Sequence, residues 1–195
     1  MTPENNGLLR FEIDAKPSLF TVQAFAAGKL SAVVHSPKFA IRGISGEILY
    51  APEVLDKGSL QMNIDPGSLE ILDEVSGVDR REIERTMFDE VLERNAYPRI
   101  AYKSVQVNAT RLSDNMARVK VAGDLTLHGI THRVDLDSQV VTGEDTLRAQ
   151  GYFSIMQSDY GLKIASVAGG TLRLTDELKF AYFIMARRKL CGMDG

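Results

Sequence analysis

Only one cysteine occurs in the 195 residues, Cys191, close to the C-terminus. An intramolecular disulfide is therefore excluded, and with it any small scaffold that relies on covalent staples instead of a core. A dense basic block is missing as well. Lysine and arginine number 23 against 26 aspartates and glutamates, a formal net charge of −3. The body of the chain thus lacks the electrostatic footprint of a nucleic-acid partner. Arg187-Arg188-Lys189 is the one concentrated basic run, and it is too short to anchor a protein on a membrane by itself. The tail Cys-Gly-Met-Asp-Gly is no prenylation signal. No segment approaches the ~18 apolar residues of a membrane span, and MTPENNGLLRFEID lacks the apolar run of a secretory leader. With Met1 as the start, the expectation is a cytoplasmic protein with no stable membrane insertion. Linkers, low-complexity stretches and internal repeats are absent too.

What is present suits one globular domain. Hydrophobic residues make up 44% and charged residues 25%. A chain of this length can bury roughly 70% of its unfolded surface, enough to fold without a structural metal. The expected organisation is a tail over 1–9, a single domain over 10–188 and a second tail over 189–195.

Short alternating segments dominate that domain, separated by Gly, Pro, Asn and Asp. In 116–127, Val119, Val121, Leu125 and Leu127 share one face and Arg118, Lys120, Asp124 and Thr126 the other. Val134, Leu136 and Val140 likewise oppose Arg133, Asp135, Asp137 and Gln139, and Leu60, Met62 and Ile64 oppose Gln61 and Asn63. A two-residue period of this kind buries one face and wets the other, as antiparallel sheets do. Two segments have no polar face: Leu19–Phe25, and Lys179–Arg187 with Phe180, Tyr182, Ile184 and Ala186 against Ala181, Phe183 and Met185. One face of each can fill a barrel; the other must be covered by the helix, a loop or a second subunit, which makes a homodimer an expectation. Gly129-Ile130 is expected at the centre of a tight hairpin, since a type II′ turn takes Gly first.

One helix interrupts the strands. Asp79 with Glu82 three residues on predicts a capping box. Ile83, Met87, Phe88, Val91 and Leu92 then form a stripe at helical spacing. Arg80–Glu84, Arg85–Asp89 and Glu90–Arg94 are opposite charges four apart on the wet side. Asn95 is the expected left-handed terminator, and Pro98 forbids continuation. A lone amphipathic helix among strands is no βαβ unit and reads as a lid or plug on a barrel.

Three stretches carry a family resemblance: EIERTMFDEVLERNAYPRIAYKSVQV (82–107), GDLTLHGITHRVDL (123–136), and FSIMQSDYGL (153–162) with DELKFAYFIMARR (176–188). In order and spacing they are similar to the YceI-like family. Residues 18–50 are similar more weakly. The resemblance covers about residues 10–188. It implies a mainly β fold: an extended antiparallel lipocalin-like barrel of about eight strands, with the amphipathic helix packed on or over it. It also implies a hydrophobic interior able to hold a polyisoprenoid, an isoprenoid quinone or a fatty-acyl chain. Two positions depart from the family pattern. Phe25-Ala26-Ala27-Gly28 replaces a segment that commonly holds a His, and Gln157 stands where an Arg commonly precedes the Ser-Asp-aromatic-Gly turn.

A barrel of eight strands encloses either packed side chains or one small ligand. Small residues on the expected inward face (Ala24, Ala149, Gly151) stand beside Phe20, Tyr102 and Phe153 and predict vacant space. Each buried CH₂ of a ligand contributes ~0.8 kcal/mol, so ten give ~8 kcal/mol before association costs and leave affinity near micromolar. The expected lining is Phe20, Val22, Ile41, Ile100, Tyr102, Phe153 and Phe180, with Asp159 and Tyr160 at the mouth. No cofactor beyond a bound lipid, no metal and no catalytic residue is expected. The alternative is a dry core formed by the same aromatic residues in a structural homodimer.

Chemistry has few footholds. His128 and His132 are four apart, but across a hairpin they face opposite sides, and His35 sits in a loop. An enzyme or metal-dependent protein using His35, His128 or Asp159 at the mouth is the remaining alternative. Ser104 and Ser154 lack a nucleophile-elbow context, and Gly169-Gly170 lacks a phosphate-binding fingerprint. Within Gln157–Gly161, Asp159 is expected either to meet a ligand head group or to cap a turn that ends with Gly161 in the left-handed region.

Overall fold

The computed structural model describes residues 7–27, 37–164, 166–167 and 172–189. His35, Cys191 and Gly169-Gly170 lie outside them. In chain order the strands are β1 (Leu9–Ala27), β2 (Lys38–Ile41), β3 (Ile44–Tyr50), β4 (Ser59–Ile64), β5 (Leu69–Ile71) and β6 (Ile100–Ser113). They continue with β7 (Met116–Leu127), β8 (Ile130–Thr142), β9 (Thr146–Met156), β10 (Ser166–Val167) and β11 (Leu172–Arg188). Hydrogen bonding runs β1-β3-β4-β6-β7-β8-β9-β11 and returns from β11 to β1, all antiparallel. Eight strands therefore close on themselves, which removes the exposed edges an open sheet would present. β2 and β5 extend the wall beside the second half of β1, and β10 pairs with the start of β11.

Alternation builds the interior. Along β7, Ala117, Val121, Gly123, Leu125 and Leu127 are buried while Arg118 and Lys120 are exposed. Along β8, Leu136, Ser138 and Val140 are buried between exposed Asp135 and Gln139. β1 is long, and its pairing with β11 shifts register between Asp14 and Leu19. Pro17 falls in this gap and has no N–H to donate. Ser18 bridges it: its Oγ donates to the Asp14 carbonyl (2.6 Å) and accepts from Met185 N (3.0 Å).

Two apolar clusters fill the barrel. A small one of Phe11, Val140, Leu147 and Ala186 seals the end that carries the β8–β9 turn. The main core spans the rest and takes in Val75, Ile83, Met87, Val91 and Leu92 around the helix.

The helix differs from expectation in three ways. α1 (Gly77–Arg85) is capped by Ser76, whose Oγ accepts from Asp79 N at 3.2 Å. Asp79 is thus the third helical residue and not the cap; its carboxylate accepts from Ser76 Oγ at 2.6 Å. A π-helical turn then covers Thr86–Val91. Its wider winding brings residues five apart together, so the ion pairs formed are Arg85–Glu90 (2.9 Å) and Asp89–Arg94 (4.0 Å) in place of pairs four apart. Phe88 lies beneath the Arg94 guanidinium at 4.6 Å. Finally, the left-handed residue is Glu93 (φ 44°), two before Asn95.

The β7–β8 turn is also displaced by one residue. Leu127 pairs with Ile130 and Thr126 with Thr131. His128 and Gly129 hold the two central positions with φ of 52° and 74°, the signature of a type I′ turn. His132 consequently stands opposite Leu125.

Of the two strands without a polar face, one side of each turns inward as expected. On the outer side Leu19 is 50% exposed, and Tyr152 on neighbouring β9 is 82% exposed. The helix packs against β5.

Candidate functional site

The interior contains a cavity of about 100 Å³. Phe20 and Ile13 of β1, Ile41 of β2, Ile48 of β3, and Leu60, Met62 and Ile64 of β4 line one side. Ile100 and Tyr102 of β6, Leu125 and Leu127 of β7, Leu136 and Ser138 of β8, Ala149, Phe153 and Ile155 of β9, and Phe180, Tyr182 and Ile184 of β11 complete it. Among the described residues, no charged side chain lines the cavity. The polar atoms of the lining side chains are three hydroxyls.

Phe20, Ile41, Ile100, Tyr102, Phe153 and Phe180 all face this cavity. Val22 does not: it is buried in the main core, one inward step along β1 from Phe20. The vacant volume is smaller than the sequence suggests, because the small residues on the inner wall are filled by tyrosines. A Cβ on Gly151 would lie 2.5 Å from the Tyr182 hydroxyl, and one on Gly123 would lie 2.5 Å from the Tyr102 hydroxyl. Each ring thus occupies the space its glycine leaves.

Phe20, Phe153, Phe180 and Tyr182 form one aromatic group. Phe153 and Phe180 stack at 4.7 Å with a 5° interplanar angle, and Phe20 meets Phe180 at 6.0 Å and Tyr182 at 6.2 Å. The vacant space lies among these rings and the aliphatic residues of β3, β4 and β6.

The three hydroxyls differ in their bonding. Tyr102 directs its OH at the carbonyls of Val121 and Val134, both 3.0 Å away. Burial drives its titration far above the usual phenol range. Tyr182 OH lies 2.6 Å from Ser138 Oγ, and burial raises its titration as well. Ser138 was missed in reading the strand pattern, although it falls in the inward set with Leu136 and Val140. A hydroxyl in an otherwise aliphatic inward series was the available signal.

The two residues expected at the mouth, Asp159 and Tyr160, are not among the residues that line the cavity. Tyr160 is 1% exposed, and its hydroxyl has no hydrogen-bond partner among the described residues. Burial first, and then the charge of Asp159, push its titration up to about 12. Asp159 is exposed, and its carbonyl oxygen lies 2.9 Å from His132 Nε2. The turn is capped by Asp176 instead, whose carboxylate accepts from Ser158 N (2.8 Å) and Ser158 Oγ (2.5 Å). Gly161 does take the left-handed conformation, with φ 64°.

His128 is held in the hairpin tip against the Tyr97 ring, 4.1 Å between centroids, with Nε2 buried and 3.8 Å from Glu93 Oε2. Ser104 Oγ accepts from Leu60 N at 2.9 Å beside a bulge in β6, which is a structural role. Among the described residues, no three His, Cys, Asp or Glu side chains are grouped to hold a metal. No helix of these residues is long and apolar enough to cross a membrane.

An eight-stranded antiparallel barrel with a helix at its side and an apolar interior defines the lipocalin-like class. Residues 11–182 match the YceI-like domain, and the chain belongs to that family. Solved structures share the fold. BcnA of Burkholderia cenocepacia superposes with a TM-score of 0.68 at 18% identity, covering 89% of this chain and 98% of that one. A polyisoprenoid binding domain from Saccharophagus degradans, implicated in plant cell wall breakdown, gives 0.65 at 17% identity over 93% and 99%. The Campylobacter jejuni YCEI protein gives 0.57 at 15% identity over 78% and 85%. No curated protein matches the chain.

Proposed function

We propose that the barrel binds an apolar, lipid-like molecule (a polyisoprenoid, an isoprenoid quinone or a fatty-acyl chain) and carries, sequesters or senses it without chemical change. The observation that supports this reading is the cavity of about 100 Å³ within the barrel, lined by no charged side chain among the described residues. Apolar space of this kind favours hydrocarbon over water, because water there has few partners. The fold of the Saccharophagus polyisoprenoid binding domain points the same way.

The volume sets a condition on the ligand-bound state. A cavity of about 150 Å³ admits benzene, so about 100 Å³ is too small for an isoprenoid chain. Binding therefore requires the aromatic group around Phe153 and Phe180 to swing aside. That movement is feasible, because these two side chains are only part-buried and end in rings that turn about χ1 without breaking a hydrogen bond. The ligand then takes over the contacts that the rings lose.

Lipid extraction tests the proposal. Protein purified from its own host should yield a near-stoichiometric apolar species by mass spectrometry. An apolar fluorophore should enter the delipidated protein and be displaced by farnesol. Empty extracts together with no fluorophore uptake would remove the proposal and leave a packed structural barrel.

A further inference from the structure

The two interior tyrosines sit in matching places, each over a glycine of the neighbouring strand, yet their hydroxyls are not equally satisfied. Tyr102 has one proton to donate and two backbone carbonyls at 3.0 Å to receive it. Among the described residues, Tyr182 OH has only Ser138 as partner, and Ser138 Oγ only Tyr182. Two hydroxyls carry two protons, and the bond between them uses one. Whichever oxygen donates, the other O–H has no protein acceptor among the described residues. Both residues line the cavity, and Ser138 is 7% exposed. An O–H without an acceptor in such a place costs free energy unless something enters to accept it.

The surroundings restrict what that acceptor can be. Ser138 lies two residues from Val140, part of the apolar cluster that seals this end, and Tyr182 lies two from Ile184. Among the described residues, the lining includes no lysine, arginine or histidine. An ionised carboxylate or phosphate placed here would lose its hydration with no countercharge to replace it. A neutral oxygen needs only the one donor.

We infer that Ser138 and Tyr182 form a hydrogen-bonding subsite for a single neutral oxygen of the ligand, a carbonyl or hydroxyl, placed at the sealed end of the cavity. The ligand is thus an oxygenated apolar chain and not a plain hydrocarbon, and it enters with its uncharged polar end leading. This inference rests on the apolar-ligand reading above and adds the chemistry and orientation of the occupant.

The test compares two isosteric probes in the delipidated full-length protein: geranylacetone, an isoprenoid ketone, and its analogue with a methylene group in place of the carbonyl oxygen. Dissociation constants are measured for the wild type, Tyr182→Phe, Ser138→Ala and the double variant. Phenylalanine keeps the ring over Gly151, and circular dichroism and thermal melting verify that each variant is folded. The ketone-to-alkene affinity ratio is expected to fall about tenfold in the double variant, the size of one buried hydrogen bond left unmade. In the wild type, the infrared stretch of a ¹³C-labelled carbonyl should shift to lower frequency on binding, and this shift should vanish in the double variant. An unchanged ratio with no infrared difference overturns the subsite while leaving apolar binding intact. Failure of both probes to bind the wild type overturns the subsite and the ligand reading together. Should the double variant fail to fold, the wild-type infrared shift and the Tyr182→Phe ratio decide.

Discussion

Phe153 and Phe180 face each other across β9 and β11, their centroids 4.7 Å apart and their planes within 5° of parallel. The pair belongs to directly opposed positions of the ladder, so backbone register alone brings the rings together. In the proposed ligand-bound state it is also the part of the cavity wall that swings aside. Phe153→Ala is expected to cost less than the ~3–5 kcal/mol of a fully buried ring, because Phe153 is part-buried, and to tighten binding of an apolar fluorophore because the enlarged space needs no rearrangement. Thermal melting and fluorescence titration check the two effects. Unaltered fluorophore affinity in a folded variant would show that this ring does not limit the cavity.

Gly123 and Tyr102 make a second such relationship. An added methyl at Gly123 would lie 2.5 Å from the Tyr102 hydroxyl and 2.8 Å from the Lys103 carbonyl. Gly123→Ala should destabilise by about 1–3 kcal/mol through overpacking. Part of that cost should disappear when Tyr102 is first shortened to leucine, and a double-mutant cycle measures the coupling. Simple additivity would mean that the backbone carbonyl, not the ring, sets the limit.

Alkaline titration reports on the buried phenols. Tyr160 ionises only around pH 12, and Tyr102 and Tyr182 are raised as well, in each case chiefly by burial. A phenol whose folded value exceeds its unfolded value of about 10 stabilises the fold fully below pH 10 and loses that contribution as pH rises towards the folded value. Ultraviolet absorbance should therefore show three tyrosines that ionise late, together with the loss of β-sheet circular dichroism. Ionisation of all six tyrosines in one step near pH 10 would contradict the buried placement.

The acid limb should depend on Asp176. The Ser158 hydroxyl, and then the Ser158 N–H, hold its carboxyl below the usual range. A depressed carboxylate stabilises the fold above its unfolded value, about pH 4, and loses this as pH falls through the folded value. The melting temperature of Asp176→Asn should lie below that of the wild type at neutral pH, and the gap should close below about pH 4. A gap that persists in acid would assign the effect to packing.

Much of this architecture could be read along the chain, and the failures have local causes. The hairpin slipped by one residue because Gly129-Ile130 satisfies a type II′ pattern as well as His128-Gly129 satisfies type I′. Only the neighbouring strands, which bury Leu127 and expose Ile130, decide between them. Ion pairs four apart were reasonable for an α-helix, but the π-turn at Thr86–Val91 moved the partners to five. Asp176 could not be assigned to the Ser158 turn, since 18 residues separate them and the bond exists only once β9 and β11 are side by side. The inward lining was legible because a period of two assigns faces regardless of the partner strand.

Alternation, the helical stripe and the absence of charge on the inward positions determined by themselves an antiparallel sheet with an apolar inner face. Periodicity is a local property and survives any register. What only the folded barrel decided is how much of the interior stays vacant. Tyr182 fills the place left by Gly151 and Tyr102 that left by Gly123, while Ser138 meets Tyr182 across an intervening strand. Those meetings are set by register and closure, which join residues 44 positions apart for Ser138 and Tyr182, beyond the reach of any pattern along the chain.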